Sequence, residues 1–312
     1  MALWPEEYEG FRDEARQMAD ALRGHYGSGA SGEAPTDRAG RVRFMREGLA
    51  ALETTSSAGA GEEIAGVPCR VFRPKLASRG TYVHFHGGAM MLGSPLMNDT
   101  ANADLCERLG VTVISVDYRL APEHPFPAGS DDCLAVSRWV LEHEDGPIVL
   151  GGESAGGYYA ALTLLRIRDD LDAVRQISGV NLVFGVYDLS GTPTSRGARP
   201  SDVADLLEDS MFGFVNECYI PGRSLEDARD PAVSPLYADL AGLPPALFTV
   251  GSADHLLDDS LFMAVRWQAY GNEAELAVYP GCIHGFTAMP MELAKRANER
   301  IDVFLERALS KR

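Results

Sequence analysis

Positive charge is scarce in this chain: 28 lysine and arginine side chains stand against 45 aspartates and glutamates, a formal net charge of −17 at pH 7. Such an excess repels phosphate backbones and anionic lipid headgroups, so neither nucleic acid nor a membrane surface is an expected partner. Cysteine is scarce as well. The five, Cys69, Cys106, Cys133, Cys218 and Cys282, are widely spaced, odd in number, form no C-x-x-C pair and do not cluster with histidines at metal-ligand spacing. That pattern argues against a disulfide framework and against a zinc module, and makes a reducing cytoplasm the expected setting. The sequence also lacks an apolar run long enough to span a bilayer. The acidic stretch from Met1 to Glu14 has neither the basic nor the apolar region of a signal peptide.

What the chain does have is enough apolar material for one large core, with 46% hydrophobic residues over 312 positions. Two helical patterns come first. Tyr8, Phe11, Ala15, Met18 and Leu22 share a stripe in residues 5 to 24, and Thr36-Asp37 caps a second helix carrying Val42, Met45 and Leu49. A small-residue linker, Thr54 to Gly61, follows. Short strands and helices then alternate: strands at Val67 to Phe72, Tyr82 to Phe85, Val111 to Val116, Ile148 to Leu150, Val180 to Phe184, Ala246 to Val250 and Ala274 to Val278, with helices between most of them and a closing helix at Glu292 to Leu309. This rhythm predicts an α/β fold with a mostly parallel sheet covered by helices on both faces. One stretch breaks it. About sixty residues separate the strands near Val183 and Phe248, far more than a crossover needs, and they carry the helical stripe Val203, Leu207, Met211 and Phe214. The expected organisation is an N-terminal helical part of a cap (1–50), a first core segment (51–190), a cap insertion (191–225) and a second core segment (226–312).

Chemistry gathers at strand ends. Gly152-Glu153-Ser154-Ala155-Gly156 follows the strand Ile148-Val149-Leu150 and opens a helix, the G-x-S-x-G pattern of a nucleophile elbow, in which flanking glycines let the neighbouring backbone pass close to a strained serine. His86-Gly87-Gly88-Ala89 follows the strand Tyr82-Val83-His84-Phe85. Backbone N–H groups there, together with that of Ala155, are candidates for an oxyanion hole, and His86 is better suited to orienting the loop than to acting as a base. Asp254 lies just past Leu247-Phe248-Thr249-Val250, while Asp258 and Asp259 fall in the first turn of the next helix, where its dipole favours negative charge; strand-end position therefore favours Asp254 as the acid. His284, between Ile283 and Gly285, follows Glu275-Leu276-Ala277-Val278. The order Ser154, Asp254, His284 is that of a hydrolase triad on this architecture.

With His86-Gly87-Gly88-Ala89, the stretch Asp117-Tyr118-Arg119-Leu120-Ala121-Pro122-Glu123 with Pro125-Phe126-Pro127-Ala128, Gly152-Glu153-Ser154-Ala155-Gly156-Gly157, Asp254 and His284 in that order, the chain resembles the hormone-sensitive-lipase-like carboxylesterases of the α/β-hydrolase fold over essentially its whole length. The resemblance implies Ser154 as nucleophile, His284 as base, Asp254 as its orienter, and the N–H groups of Gly88, Ala89 and Ala155 as oxyanion hole, under a helical cap. It implies neither metal nor cofactor. The expected substrate is a small-molecule ester with a short to medium acyl chain, and assembly as a homodimer stays open. Three departures from the family pattern bear on specificity: Ala89 replaces a usual third glycine, Glu153 a more frequent aspartate, and Tyr158 a common asparagine. Met90, Met91, Tyr158, Met211 and Phe214 are the expected substrate-binding side chains, with Tyr8, Phe11 and Met18 lending apolar surface to the cap. Tyr118 to Pro127 reads as scaffold whose prolines fix a loop. A triad does not choose its leaving group, so amide, lactone and carbamate hydrolysis stay open beside ester hydrolysis. A non-catalytic receptor on the same fold is disfavoured because all three triad positions are filled.

Overall fold

The structure, a computed structural model, describes residues 3–29, 35–51, 53–197 and 209–310. Eight strands form one sheet: β1 (Gly59–Ile64), β2 (Val67–Phe72), β3 (Thr81–Phe85), β4 (Thr112–Val116), β5 (Ile148–Glu153), β6 (Ile177–Val183), β7 (Ala246–Gly251) and β8 (Ala274–Tyr279). Their spatial order is β1-β2-β4-β3-β5-β6-β7-β8. β1 and β2 pair antiparallel, as do β2 and β4, and the remaining pairs are parallel. From β3 the chain first steps outward to β4 and then returns to the other side of β3 as β5. The reversal places the carboxyl ends of β3 and β5 at a topological switch point, where open sheets of this kind form their crevice.

The helices are α1 (Arg12–Gly29), α2 (Arg38–Ala50), α3 (Asp99–Leu109), α4 (Ala128–His143), α5 (Ala155–Leu171), α6 (Asp209–Tyr219), α7 (Leu257–Ala269) and α8 (Glu292–Leu309). Alternation along each strand sorts the core into two layers. Val83 and Phe85 of β3, Ile114 and Val116 of β4, and Ala246 and Phe248 of β7 meet α4, α5 and α7 on one face. Tyr82, Val113 and Leu247 meet α3 and α8 on the other. α5 runs through the interior, with every residue from Ala155 to Leu165 buried. α8 is amphipathic and buries Leu293, Ala297, Ile301, Phe304 and Leu305 on a single stripe.

The sheet and its helices lie where sequence pattern puts them, with two differences at the amino-terminal end. The stretch expected to be a linker ends in β1, an edge strand whose glycines and alanine hide its strand character; it pairs with β2 through the two-residue turn Ala65-Gly66, both at positive φ, the geometry of a tight type I′ hairpin. The first helix begins with a 3₁₀ turn at Glu6–Phe11 and continues past Gly24 to Gly29, since glycine costs a helix interior about 1 kcal/mol but does not forbid it.

The two amino-terminal helices part company in their packing. The 3₁₀ turn before α1 lies against β8 and α8, with Tyr8 stacked on Tyr279 at 5.4 Å and the Arg296 guanidinium over the rings of Tyr8 and Phe11, and Ala15 and Met18 of α1 join the α8-side core. α2 instead faces α6, with the Arg41 guanidinium 4.3 Å from the centre of the Phe214 ring and Arg38 paired to Glu217 at 3.9 Å. Val203 and Leu207 of the expected cap stripe lie outside the described residues.

Candidate active site

The turn from β5 into α5 decides the rest of the site. Ser154 has φ 56° and ψ −116°, a conformation a residue with a β-carbon adopts only under strain. Gly152 and Gly156 make it feasible: a β-carbon at either would run into the carbonyl oxygen of Phe85, at the end of the neighbouring strand β3. The hydroxyl of Ser154 lies 2.9 Å from Nε2 of His284. On the far side of that ring Nδ1 lies 3.0 Å from each oxygen of Asp254. Asp254 is buried, and its Oδ1 also accepts the Leu256 N–H at 2.8 Å. Burial alone would raise its pKa, but the charge and hydrogen bond of His284, the neighbouring His255 and the Leu256 N–H outweigh burial and hold it below the ordinary carboxylate value. Asp254 is thus an anion beneath the imidazole and fixes the proton on Nδ1, leaving the Nε2 lone pair toward the serine.

The loop after β3 flanks this line. Gly88, Ala89 and Met90 all have positive φ (122°, 53° and 59°). At Gly88 the conformation demands glycine, because a β-carbon would collide with the Leu92 carbonyl. Gly87 packs against the elbow, its would-be β-carbon 3.2 Å from the Glu153 carbonyl. Ala155 opens α5, whose first-turn N–H groups have no acceptor within the helix. His86 is wholly buried, stacks on Tyr118 at 4.2 Å and has Nδ1 2.7 Å from the Gly87 carbonyl. Burial drives its pKa down to about 3, which keeps it neutral and suits it to shaping the loop. The Tyr118 hydroxyl donates to the His86 carbonyl at 2.6 Å, and the Ala121 N–H to the Met90 carbonyl at 3.0 Å. This is the scaffolding role expected of the 118–127 stretch.

Arg46 of α2 adds a brace that sequence reading missed. It donates to the Met91 carbonyl at 2.8 Å and the Ala121 carbonyl at 2.9 Å while its guanidinium grips Glu123 at 2.8 and 2.9 Å. Nothing in its local sequence marks Arg46, because its partners come from two distant loops.

Over Ser154 lies a cavity lined by Ala89, Met90, Ala155, Val186, Leu189, Ser195, Met211, Phe212, Val215, Leu256, His255 and His284. Of the expected substrate-binding side chains, Met90 and Met211 line it and three do not. Met91 is buried in the core. Tyr158 turns away into a cluster of tyrosines, its ring against Tyr159 and Tyr219. Phe214 packs under Arg41. The helical period explains the last: Met211 and Val215 face the cavity from α6 and Phe214 faces α2. Among the described residues, none of the first fifty lines the cavity, so Tyr8 and Phe11 of the 3₁₀ turn and Met18 of α1 do not wall it. Glu153 is not among the lining residues either; its Oε2 lies 3.0 Å from Nε2 of His84, whose Nδ1 is 2.8 Å from the Ser115 hydroxyl. Asp258 and Asp259 occupy the first turn of α7, as expected, and do more than meet its dipole. Asp258 accepts the Thr194 N–H, and Asp259 accepts the N–H groups of Tyr187 and Asp188 and the Thr192 hydroxyl, which fastens residues 187–194 beside the cavity.

A serine on a strained strand-to-helix turn, engaged by an imidazole on a buried carboxylate, defines the class of hydrolases that work through an acyl-enzyme. A family model described as the alpha/beta hydrolase fold matches residues 82–288. The chain is 33% identical over 265 residues to carboxylesterase NlhH of Mycobacterium tuberculosis, covering 79% of this chain and 80% of that protein. It is 32% identical over 265 residues to an arylesterase of Saccharolobus solfataricus, covering 82% and 80%. Among solved structures, a hormone-sensitive lipase from a metagenome library superposes with a TM-score of 0.81 at 29% identity, covering 95% of this chain and 98% of that one. The chain belongs to the α/β-hydrolase-fold family, among its hormone-sensitive-lipase-like carboxylesterases, and is a carboxylic ester hydrolase.

Proposed function

We propose that this ester hydrolase acts on small, soluble esters of short to medium acyl chains, with Ser154 as nucleophile, His284 as base and Asp254 as its orienter. The observation that carries the reading is the unbroken line from the Ser154 hydroxyl to His284 Nε2 at 2.9 Å and from His284 Nδ1 to Asp254 at 3.0 Å. Nε2 takes the hydroxyl proton as Oγ bonds to the carbonyl carbon. The N–H groups of Gly88, Ala89 and Ala155 receive the negative oxygen, and Nε2–H returns its proton to the departing alcohol. A water then repeats the sequence on the acyl-enzyme and releases the acid. The apolar walls Val186, Leu189, Met211, Phe212, Val215 and Leu256 favour an acyl group over a charged or strongly polar one.

In this reading the cap is α2 with α6 and the described residues 191–197 and 220–225 of the expected insertion, while α1 belongs to the packing of α8. The protein works in the cytoplasm, alone or as a homodimer, without nucleic-acid or membrane partners. The acidic surface and five free, buried cysteines support that setting; among the described residues no helix is long and apolar enough to cross a membrane.

The test joins labelling to a substrate series. A serine-directed phosphonate is expected to modify wild type at Ser154 and leave Ser154→Ala unmodified. p-Nitrophenyl esters are expected to improve by about 0.8 kcal/mol per methylene while the chain still fits, with an optimum among roughly two- to six-carbon acyl groups, and then to decline. Activity still climbing beyond a dodecanoyl ester would overturn the assigned chain length, and faster cleavage of the matched anilide or lactone would overturn ester preference.

A further inference from the structure

We infer that Asp254, His255 and His284 form a binding site for a borderline-soft divalent cation such as Zn²⁺ at the edge of the active-site cavity, and that the bound cation switches hydrolysis off. Sequence spacing shows no such group, since His255 and His284 belong to the loops after two different strands. The fold brings them together: one carboxylate oxygen and one ring nitrogen from each histidine lie within 4.8 Å of one another, and among the described residues this is the group of three that can share an ion. Nδ1 of His255 is 3.5 Å and Nδ1 of His284 is 3.0 Å from the Asp254 carboxylate. The two rings are 4.6 Å apart and tilted by 60°, so their nitrogens converge on the carboxylate instead of the rings stacking face to face. Both histidines line the cavity, which gives an ion a path from solvent to a carboxylate that is itself sealed off.

The donor chemistry selects the ion. Two imidazole nitrogens and one carboxylate oxygen are the ligand set of three-residue zinc sites, which keep a fourth position for water. Imidazole prefers Zn²⁺, Cu²⁺ or Ni²⁺ to Mg²⁺ or Ca²⁺, which require mostly oxygen ligands. Tetrahedral ligation at about 2.0–2.1 Å places ligand atoms roughly 3.4 Å apart, so the farthest pair must close by a rotation of the cavity-facing His255 ring, with Asp254 and the backbone held.

The consequence for catalysis follows from counting protons. In the free enzyme the single proton of neutral His284 is on Nδ1, shared with Asp254, and Nε2 is open to the Ser154 hydroxyl. A metal on Nδ1 takes that lone pair, and the ring proton relocates through solvent to Nε2. The ring remains neutral and no net proton is released, but Nε2 now donates toward Ser154 and cannot accept its proton. This last step rests on the role proposed above for His284; the binding step does not.

The experiment uses the full chain, treated with EDTA and freed of chelator, titrated calorimetrically with ZnCl₂ as wild type, Ser154→Ala, His255→Asn and His255→Phe. Wild type and Ser154→Ala are expected to bind one zinc with matching affinity and to gain thermal stability with it. Both His255 variants are expected to lose more than about 100-fold in affinity, because even loss of an outer partner of a metal-bound histidine costs about 10- to 100-fold. Hydrolysis by wild type should fall with the same midpoint as binding, recover with EDTA and ignore MgCl₂; whatever rate the His255 variants retain should not respond to zinc in that range. Wild type that fails to bind at millimolar zinc, or folded His255 variants that bind as tightly as wild type, would overturn the site. Zinc bound in a His255-dependent manner with hydrolysis untouched would overturn the switch.

Discussion

Ser154 shows how much of this enzyme depends on single backbone conformations. A side-chain-bearing residue at φ 56° carries about 1–3 kcal/mol of strain. It persists because Gly152 and Gly156 let β3 pass against the turn and because α5 is buried behind it. Removing the charge beneath the imidazole while leaving this geometry in place isolates the contribution of Asp254: Asp254→Asn is expected to lower kcat on the order of 10⁴-fold with an unchanged circular dichroism spectrum, since the amide favours the wrong tautomer of His284. Asp258→Asn, which loses only the Thr194 N–H contact, is expected to retain most activity; the reverse ranking would reassign the acid. The loop proposed as the oxyanion hole is testable in the same way. Gly88→Ala drives a methyl into the Leu92 carbonyl and is expected to cost about 10²–10³-fold in kcat, the loss seen when one oxyanion donor is displaced. Ala89→Gly relieves a positive φ and should remain active. Ser154, Asp254, His284 and the Gly88–Ala89 loop were all legible in the sequence, because each follows a recognisable strand and glycine marks the turns. Tyr158 was misread for the complementary reason: position in a motif does not say which way a ring turns, and here it turns into the core with Tyr219.

Among the elements, α2 does more than cover the sheet. Arg46 ties the Met91 carbonyl to the Ala121 carbonyl and Glu123, so one side chain couples the amino-terminal segment to the loop proposed to carry the oxyanion donors. Arg46→Ala is expected to leave the core folded, since α2 keeps Val42 buried and Phe214 beside Arg41, yet to lower kcat by roughly 10- to 100-fold through a loop displaced by a fraction of an ångström. Arg46→Lys should recover little, because an ammonium cannot span the same carbonyls and carboxylate at once. Steady-state kinetics with p-nitrophenyl butyrate separate the outcomes: a rise in KM with kcat unchanged would mean that Arg46 shapes the cavity and does not brace the oxyanion loop. The period of apolar residues predicted both amino-terminal helices but could not assign their partners. An apolar stripe specifies that a face will be buried; burial is non-directional, and which surface meets it is settled by the rest of the chain.

Across the whole molecule, pH acts on stability through buried carboxyls as well as on the site. Burial pushes Asp259 up to about 7 against the pull of its three donors. A carboxyl whose folded value lies above its unfolded value, near the model-peptide value of about 3.9, makes the native state bind more protons between the two. Its contribution is therefore most favourable below the unfolded value and is lost as pH rises through the folded one. The thermal midpoint of wild type is expected to fall between pH 5 and about 7.5 from this source, and that part of the slope should be missing in Asp259→Asn. Asp254 has the opposite sign, its folded value being depressed, so its share is lost only as pH falls through the acid range. A midpoint with the same slope in both proteins would show that Asp259 does not titrate in this window. The alternation of strands and helices, the elbow, the order of the triad and the unpaired cysteines could be read from the residues alone, because these depend on short-range sterics, period and composition. It took the folded chain to show that the 3₁₀ turn before α1 packs on β8 while α2 meets α6, that Arg46 ties the Met91 and Ala121 carbonyls together, and that His255 shares a carboxylate with His284. Those relations join residues far apart in the chain, and such contacts exist only once the sheet has set the distances between its loops.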